Sequence, residues 1–218
     1  METMGGMGGG APPMEAKPEA KSSTTVLGWL AFGAAFIMAG LASLPTPYGN
    51  SFGTGYQFGT YLLIGGGSVY SLAVLFSGLG LLLAGFISLW KGHQFQGSAF
   101  AVYGLFWISF ATALTAAPMA YSLSAFAFIF VLISLTFLIS SMKHGWGTFF
   151  LFLLTTVAFI LWLAEFWLVA PSGTKAGSLS SGMSWAVGGE FVLTGIVAWW
   201  GATAELANST YGRKVLPM

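Results

Sequence analysis

The sequence predicts an all-α membrane protein, a bundle of six transmembrane helices. Two observations carry this prediction. Only 6 % of the 218 residues are charged and 56 % are hydrophobic, whereas a soluble domain uses about 25 % charged residues. Six apolar segments follow one another, at about 26–44, 60–90, 97–117, 121–142, 148–170 and 183–206, and each holds a window of the roughly 20 residues that cross a bilayer. In lipid the backbone must satisfy its own hydrogen bonds, which apolar spans of this length do as helices.

Residues 1–22 are rich in Met, Gly, Pro, Ala and Glu and read as a cytoplasmic tail. They lack the basic start and cleavage site of a signal peptide. The transmembrane domain is expected over 23–210, and 211–218 form a second short cytoplasmic tail. The 60–90 segment is overlong, so its first turns belong to a loop or the helix tilts. The connections at 45–59 and 171–182 are Gly/Pro/Ser-rich, and Pro118 marks a tight turn between the third and fourth helices. The 31 glycines suit helices that approach closely in lipid.

Lys and Arg set the orientation. With the N-terminus inside, Lys17, Lys21, Lys91, Lys143, Arg213 and Lys214 lie on the cytoplasmic side, and only Lys175 lies outside. This distribution favours both termini in the cytoplasm.

Net charge is +1 and cysteine is absent, so no nucleic-acid partner, disulfide or thiolate metal site is indicated. The lipid bilayer is the expected partner. An enzyme ranks last among the readings. His93 and His144 fall in cytoplasmic loops, and no H-E-x-x-H pair is present. No metal or cofactor is expected.

Three carboxylates fall inside the apolar segments: Glu165, Glu190 and Glu205. A carboxylate in lipid is costly and usually faces a cavity or a partner. Glu165 and Glu190 read as a proton-carrying pair at similar depth, or as acids solvated in an outer vestibule. Glu205 reads as a helix-end residue near Arg213 and Lys214. Phe100, Tyr103 and Trp107 share one helical face by spacing. Such a face is either bundle core or an aromatic constriction that gates a small solute by dewetting. In the second case the Tyr hydroxyl offers a hydrogen bond.

The run SGLGLLLAGFISLWKGHQFQGSAFAVYGLFW over 77–107 resembles the acetate uptake transporter family, the succinate–acetate permeases. The likeness lies in a Gly-rich helix, a Lys-Gly-polar turn and then Tyr-Gly-x-Phe-Trp. Gly212-Arg213-Lys214-Val215-Leu216-Pro217 resembles the family's closing Gly-Arg-x-x-Leu-Pro. The family's opening Asn-Pro-x-Pro-Leu-Gly-Leu keeps only Leu27 and Gly28 here. The helix-two Gln and Glu of the family fall on Leu81 and Ser88, and its turn Asn falls on His93.

The resemblance implies a six-helix protomer with a pore through its own bundle, assembled as a homohexamer in the plasma or inner membrane. It implies transport of acetate and related small carboxylates, succinate among them, by a channel or by proton symport. It also implies a hydrophobic constriction of Phe32, Tyr103 and a helix-five residue, Leu154 or Thr155. Phe100 and Trp107 are further pore-lining candidates, and Glu165 and Glu190 the proton-linked ones. A channel for small neutral solutes such as urea or short amides is the alternative, and a non-transporting assembly or sensor protein is a third reading.

Overall fold

The computed structural model describes residues 23–44, 69–115, 120–169 and 181–217. The expected tail at 1–22, the connection at 45–59, the start of the second apolar segment, Pro118 and most of 171–182 lie outside them. The described helices are α1 (Ser23–Ser43), α2 (Val69–Trp90), α3 (Gln94–Thr115), α4 (Ala120–Ser141), α5 (Trp146–Ala164) and α6 (Ser181–Thr210), and no strand occurs among the described residues. Three of these helices contain windows long and apolar enough to cross a membrane: Thr24–Leu41, Ser122–Ser141 and Trp146–Trp167.

The helices run past the apolar windows at several ends. α3 starts at Gln94 rather than 97, and α6 continues to Thr210 rather than 206. Residues with polar side chains make the same main-chain N–H to C=O bonds, so hydropathy stops before the helix does. At the far end of α5, Glu165–Val169 forms a π-helical turn. Hydropathy carries no signal for a wider hydrogen-bond ring of this kind.

Glycines lie at the closest helix contacts. α1 and α6 run antiparallel, with Gly33 against Gly195 and Gly40 against Gly188. A Cβ on Gly33 would stand 2.8 Å from the Gly195 carbonyl oxygen, and one on Gly40 would stand 2.6 Å from that of Gly188. α2 and α3 repeat the device. A Cβ on Gly104 would stand 2.8 Å from the Gly78 carbonyl oxygen, and one on Gly85 would stand 2.5 Å from the Ala101 nitrogen. In each of these four helices the two contact glycines are seven residues apart: Gly33 and Gly40, Gly78 and Gly85, Gly97 and Gly104, Gly188 and Gly195. Two helical turns separate them, so both fall on one face.

α1 is the central helix. Its apolar window is 67 % buried within the chain, against 33 % for that of α4. α4 packs on α3 through rings rather than through close backbone. Phe106 meets Phe130 at 4.5 Å and Phe126 at 5.4 Å, and Phe95 meets Phe137 at 6.0 Å. Large apolar side chains also point outward along the helices, including Phe76, Phe86, Ile129, Ile139 and Trp185. A chain this poor in charge presents these to lipid, and it is an integral membrane protein.

The closing segment folds back instead of trailing away. Gly212 turns the chain with φ +62°. The Asn208 side chain then holds the return. Its Oδ1 accepts from the backbone nitrogens of Val215 (2.6 Å) and Leu216 (2.9 Å), and its Nδ2 donates to the Leu216 carbonyl at 2.9 Å. Trp200 Nε1 donates to the Pro217 carbonyl at 3.3 Å.

Candidate functional site

The interior of the bundle is an aromatic cluster supplied by five helices. α1 brings Phe32 and Phe36, because their four-residue spacing puts both rings on one face, where they stack at 4.6 Å. α3 brings Phe100, Tyr103 and Trp107, all fully buried. Its aromatic face therefore points inward. Phe32 meets Tyr103 edge to face at 5.1 Å, and Phe36 meets Trp107 in the same way at 5.1 Å. Phe100 packs against Trp29 at 4.8 Å and lies over Gly28, where an added Cβ would collide with its ring.

α5 contributes Phe152 and Phe159, each 6.2 Å from the Tyr103 ring. Thr155 lies between them on the same face and is fully buried, whereas Leu154 is half-buried. Of the two expected helix-five positions, Thr155 is the one α5 turns inward. Its hydroxyl donates to the Leu151 carbonyl at 2.8 Å, so that proton is held by its own helix. α6 adds Phe191, stacked on Phe36 at 5.2 Å. α4 adds Ser134, whose hydroxyl lies 2.8 Å from that of Tyr103.

Phe36, Phe152, Phe159, Phe191 and Ser134 were not among the sequence-derived candidates. Phe152 and Phe159 carry the same seven-residue spacing that singles out Phe100 and Trp107. Phe149 and Phe150, also on α5, blur it.

The acids separate. Glu165 opens the π-helical turn, is 5 % exposed and accepts a hydrogen bond of 2.8 Å from Ser184 Oγ. That bond sets Glu165 beside the first turn of α6. Glu190 lies six residues further along α6, about 9 Å by helical rise. Ser184 is thus the α6 side chain that meets Glu165. Glu190 is half-buried, and its Oε1 is buried without a hydrogen-bond partner. Glu205, expected at a helix end, is buried.

Among the described residues four further buried polar atoms have no partner: Ser77 Oγ, Ser88 Oγ, Trp107 Nε1 and Thr194 Oγ1. Of the histidines, His93 is exposed and His144 stacks on Phe95 at 4.2 Å. Among the described residues no group of three or more His, Asp or Glu is placed to hold a metal.

An all-helical integral membrane protein, closed at its centre by rings and carrying polar atoms among them, is the class these features define. Residues 67–217 match the model of the GPR1/FUN34/yaaH family, and the chain belongs to that family, the succinate–acetate permeases that its sequence resembles. An uncharacterized protein of Methanothermobacter thermautotrophicus strain Delta H is 29 % identical over 163 residues, covering 68 % of this chain and 75 % of that relative. Among solved structures, the fold is similar to that of the bacterial acetate channel SatP. The TM-score is 0.68 at 24 % identity, over 90 % of this chain and 98 % of that one.

Proposed function

We propose that this protein carries acetate and related small monocarboxylates, succinate within its range, across the plasma or inner membrane. The observation that carries the reading is the meeting of Phe32 and Tyr103 at 5.1 Å inside the bundle. Rings of this kind exclude water and ions while leaving a passage that a small solute can open. The likeness in fold to a bacterial acetate channel supports the same solute class. In this reading six spans run with both termini in the cytoplasm, each protomer has its own pore, and six protomers form the assembly.

The constriction is Phe32, Tyr103 and the α5 position at Thr155 beside Leu154, with Phe100 and Trp107 on the same α3 face. No Lys or Arg falls inside the described helices. A solute anion is therefore held by hydroxyl and N–H donors, weakly enough to leave again. An acetate anion entering a negative-inside cell works against about 2.3 kcal/mol per 100 mV. A proton carried with it removes that opposition, and Glu165 and Glu190 are the acids assigned to it.

Uptake of labelled acetate into proteoliposomes tests the reading, against protein-free vesicles and with urea as control. Acetate uptake above the protein-free rate is the expected result. Urea uptake without acetate uptake would transfer the pathway to neutral solutes, and no flux of either would leave an assembly or sensor protein.

A further inference from the structure

We infer that the groove at the turn between α4 and α5 seats an anionic phospholipid, with its phosphate on Lys143 and part of one acyl chain against Trp146 and Phe149. The groove holds about 320 Å³ and is lined by Met142, Gly145, Trp146 and Phe149. Met142 and Trp146 are exposed, so it opens at the surface of the chain. Trp146 also lies 6.1 Å from each of Phe149 and Phe150. These rings stand outside the aromatic interior: Phe150 is exposed and Phe149 half-buried. Exposed rings at the end of an apolar helix belong at the boundary between lipid tails and headgroups. The inference does not depend on what the protein carries.

The charge of this end of the bundle favours an anion. The Lys and Arg side chains among the described residues are Lys91, Lys143, Arg213 and Lys214, and all four are exposed. Three relationships bring them to one end. Thr25 near the start of α1 donates to Gln96 Oε1 at the start of α3, at 3.2 Å, beside the turn that carries Lys91. His144 stacks on Phe95 of α3 at 4.2 Å. α6, antiparallel to α1, ends where α1 begins. Glu205, the described carboxylate nearest this end, is buried, so the exposed charge is positive. In the proposed orientation this end faces the cytoplasmic leaflet, whose anionic lipids attract such basic segments.

Chain order at the groove follows the order of groups in a phospholipid. Lys143 directly follows Met142 of the lining, and its flexible stem carries the ammonium to headgroup level. Trp146 begins α5, where an indole sits at the headgroup boundary. Phe149 and Phe150 come one helical turn later, at acyl level. The turn itself is fixed. Gly145 adopts φ +99°, a conformation that favours glycine. The His144 nitrogen donates to the Ser141 carbonyl at 2.8 Å, and the stack on Phe95 ties the turn to α3. A fixed apolar wall beside a lysine separates an anionic lipid from a zwitterionic one, whose own ammonium Lys143 repels. A soluble acidic partner would meet the charge but would leave the exposed rings unaccounted for.

The test uses the full chain in nanodiscs of phosphatidylcholine and phosphatidylglycerol, with one lipid at a time brominated on its acyl chains to quench nearby tryptophan. The Trp146 signal is the difference between wild type and Trp146→Phe. Brominated phosphatidylglycerol is expected to quench it more strongly than brominated phosphatidylcholine at equal mole fraction. Lys143→Gln is expected to lower that preference about fivefold, the scale of one cation near an anionic surface. Native mass spectrometry gives the same comparison without the tryptophan variant: Lys143→Gln should retain less phosphatidylglycerol than wild type. Equal quenching by the two lipids in wild type, or an unchanged preference in Lys143→Gln, overturns the proposal and leaves ordinary bilayer lipid in the groove. Quenching by neither lipid would mean that another copy of the chain covers the groove, and overturns it as well. None of these outcomes bears on acetate transport.

Discussion

The hydroxyl of Tyr103 on α3 lies 2.8 Å from that of Ser134 on α4, and both residues are fully buried. The bond crosses a seam that is otherwise made of aromatic rings. Either oxygen can be the donor, so each group satisfies the other. Removing only Ser134 leaves a buried phenol unpaired, at a cost of about 1–3 kcal/mol. Ser134→Ala should therefore lower the melting temperature in detergent by several degrees. Adding Tyr103→Phe should recover most of the loss, because the stranded hydroxyl goes with it. Equal and additive losses in the two single variants and the double variant would show that the bond does not couple the helices.

Glycines of one helix should respond with opposite sign. Gly195 of α6 has no room, since an added Cβ would stand 2.7 Å from the Gly33 carbonyl oxygen. Forcing a side chain into so close a contact typically costs about 1–3 kcal/mol. Gly189 and Gly201 of the same helix have nothing within 4 Å of such a Cβ. Alanine at either position should stabilise by about 0.5–1 kcal/mol through helix propensity. Thermal unfolding in detergent should place Gly195→Ala below wild type, and Gly189→Ala and Gly201→Ala at or above it.

The two membrane-embedded acids should set the pH response of uptake. Glu165 accepts from Ser184, and Glu190 has an oxygen with no partner. Glu165→Gln with Glu190→Gln should flatten the dependence of acetate uptake on external pH. Because the two acids have different surroundings, each single variant should flatten it only in part. A wild-type pH profile in the double variant would remove both from any proton route.

The closing segment should depend on one side chain. Asn208 makes three hydrogen bonds to Val215 and Leu216. Asn208→Ala should release the segment, and hydrogen exchange at the Val215 and Leu216 amides should rise by at least tenfold, in keeping with the loss of hydrogen bonds of about 1 kcal/mol each. Exchange at the middle of α6 should not change.

Much of this was legible in the sequence. Helix positions followed from apolar length, and the inward face of α3 from the spacing of Phe100, Tyr103 and Trp107. Gly28 and the Gly-Arg-x-x-Leu-Pro ending also stood out, though not their causes: one seats the Phe100 ring, the other turns at Gly212. The partner of Tyr103 was not legible. Ser134 is 31 residues away, and one Ser in an apolar helix looks like any other. α5 is apolar all round, so nothing in its composition separates Thr155 from Leu154. Only burial in the folded bundle does: Thr155 is fully buried and Leu154 half-buried. The glycine total suggested close helices, but which glycines meet is decided by the pairing of α1 with α6 and α2 with α3. The π-helical turn that presents Glu165 leaves no mark in hydropathy at all.

The account stands on solute passing the Phe32–Tyr103 contact. The most direct test compares labelled acetate and labelled succinate uptake by wild type and Tyr103→Ala in the same proteoliposomes. If Tyr103 forms the proposed constriction, removing its ring widens it, so succinate flux relative to acetate should rise severalfold. An unchanged ratio with unchanged acetate flux would place the pathway elsewhere and contradict the account.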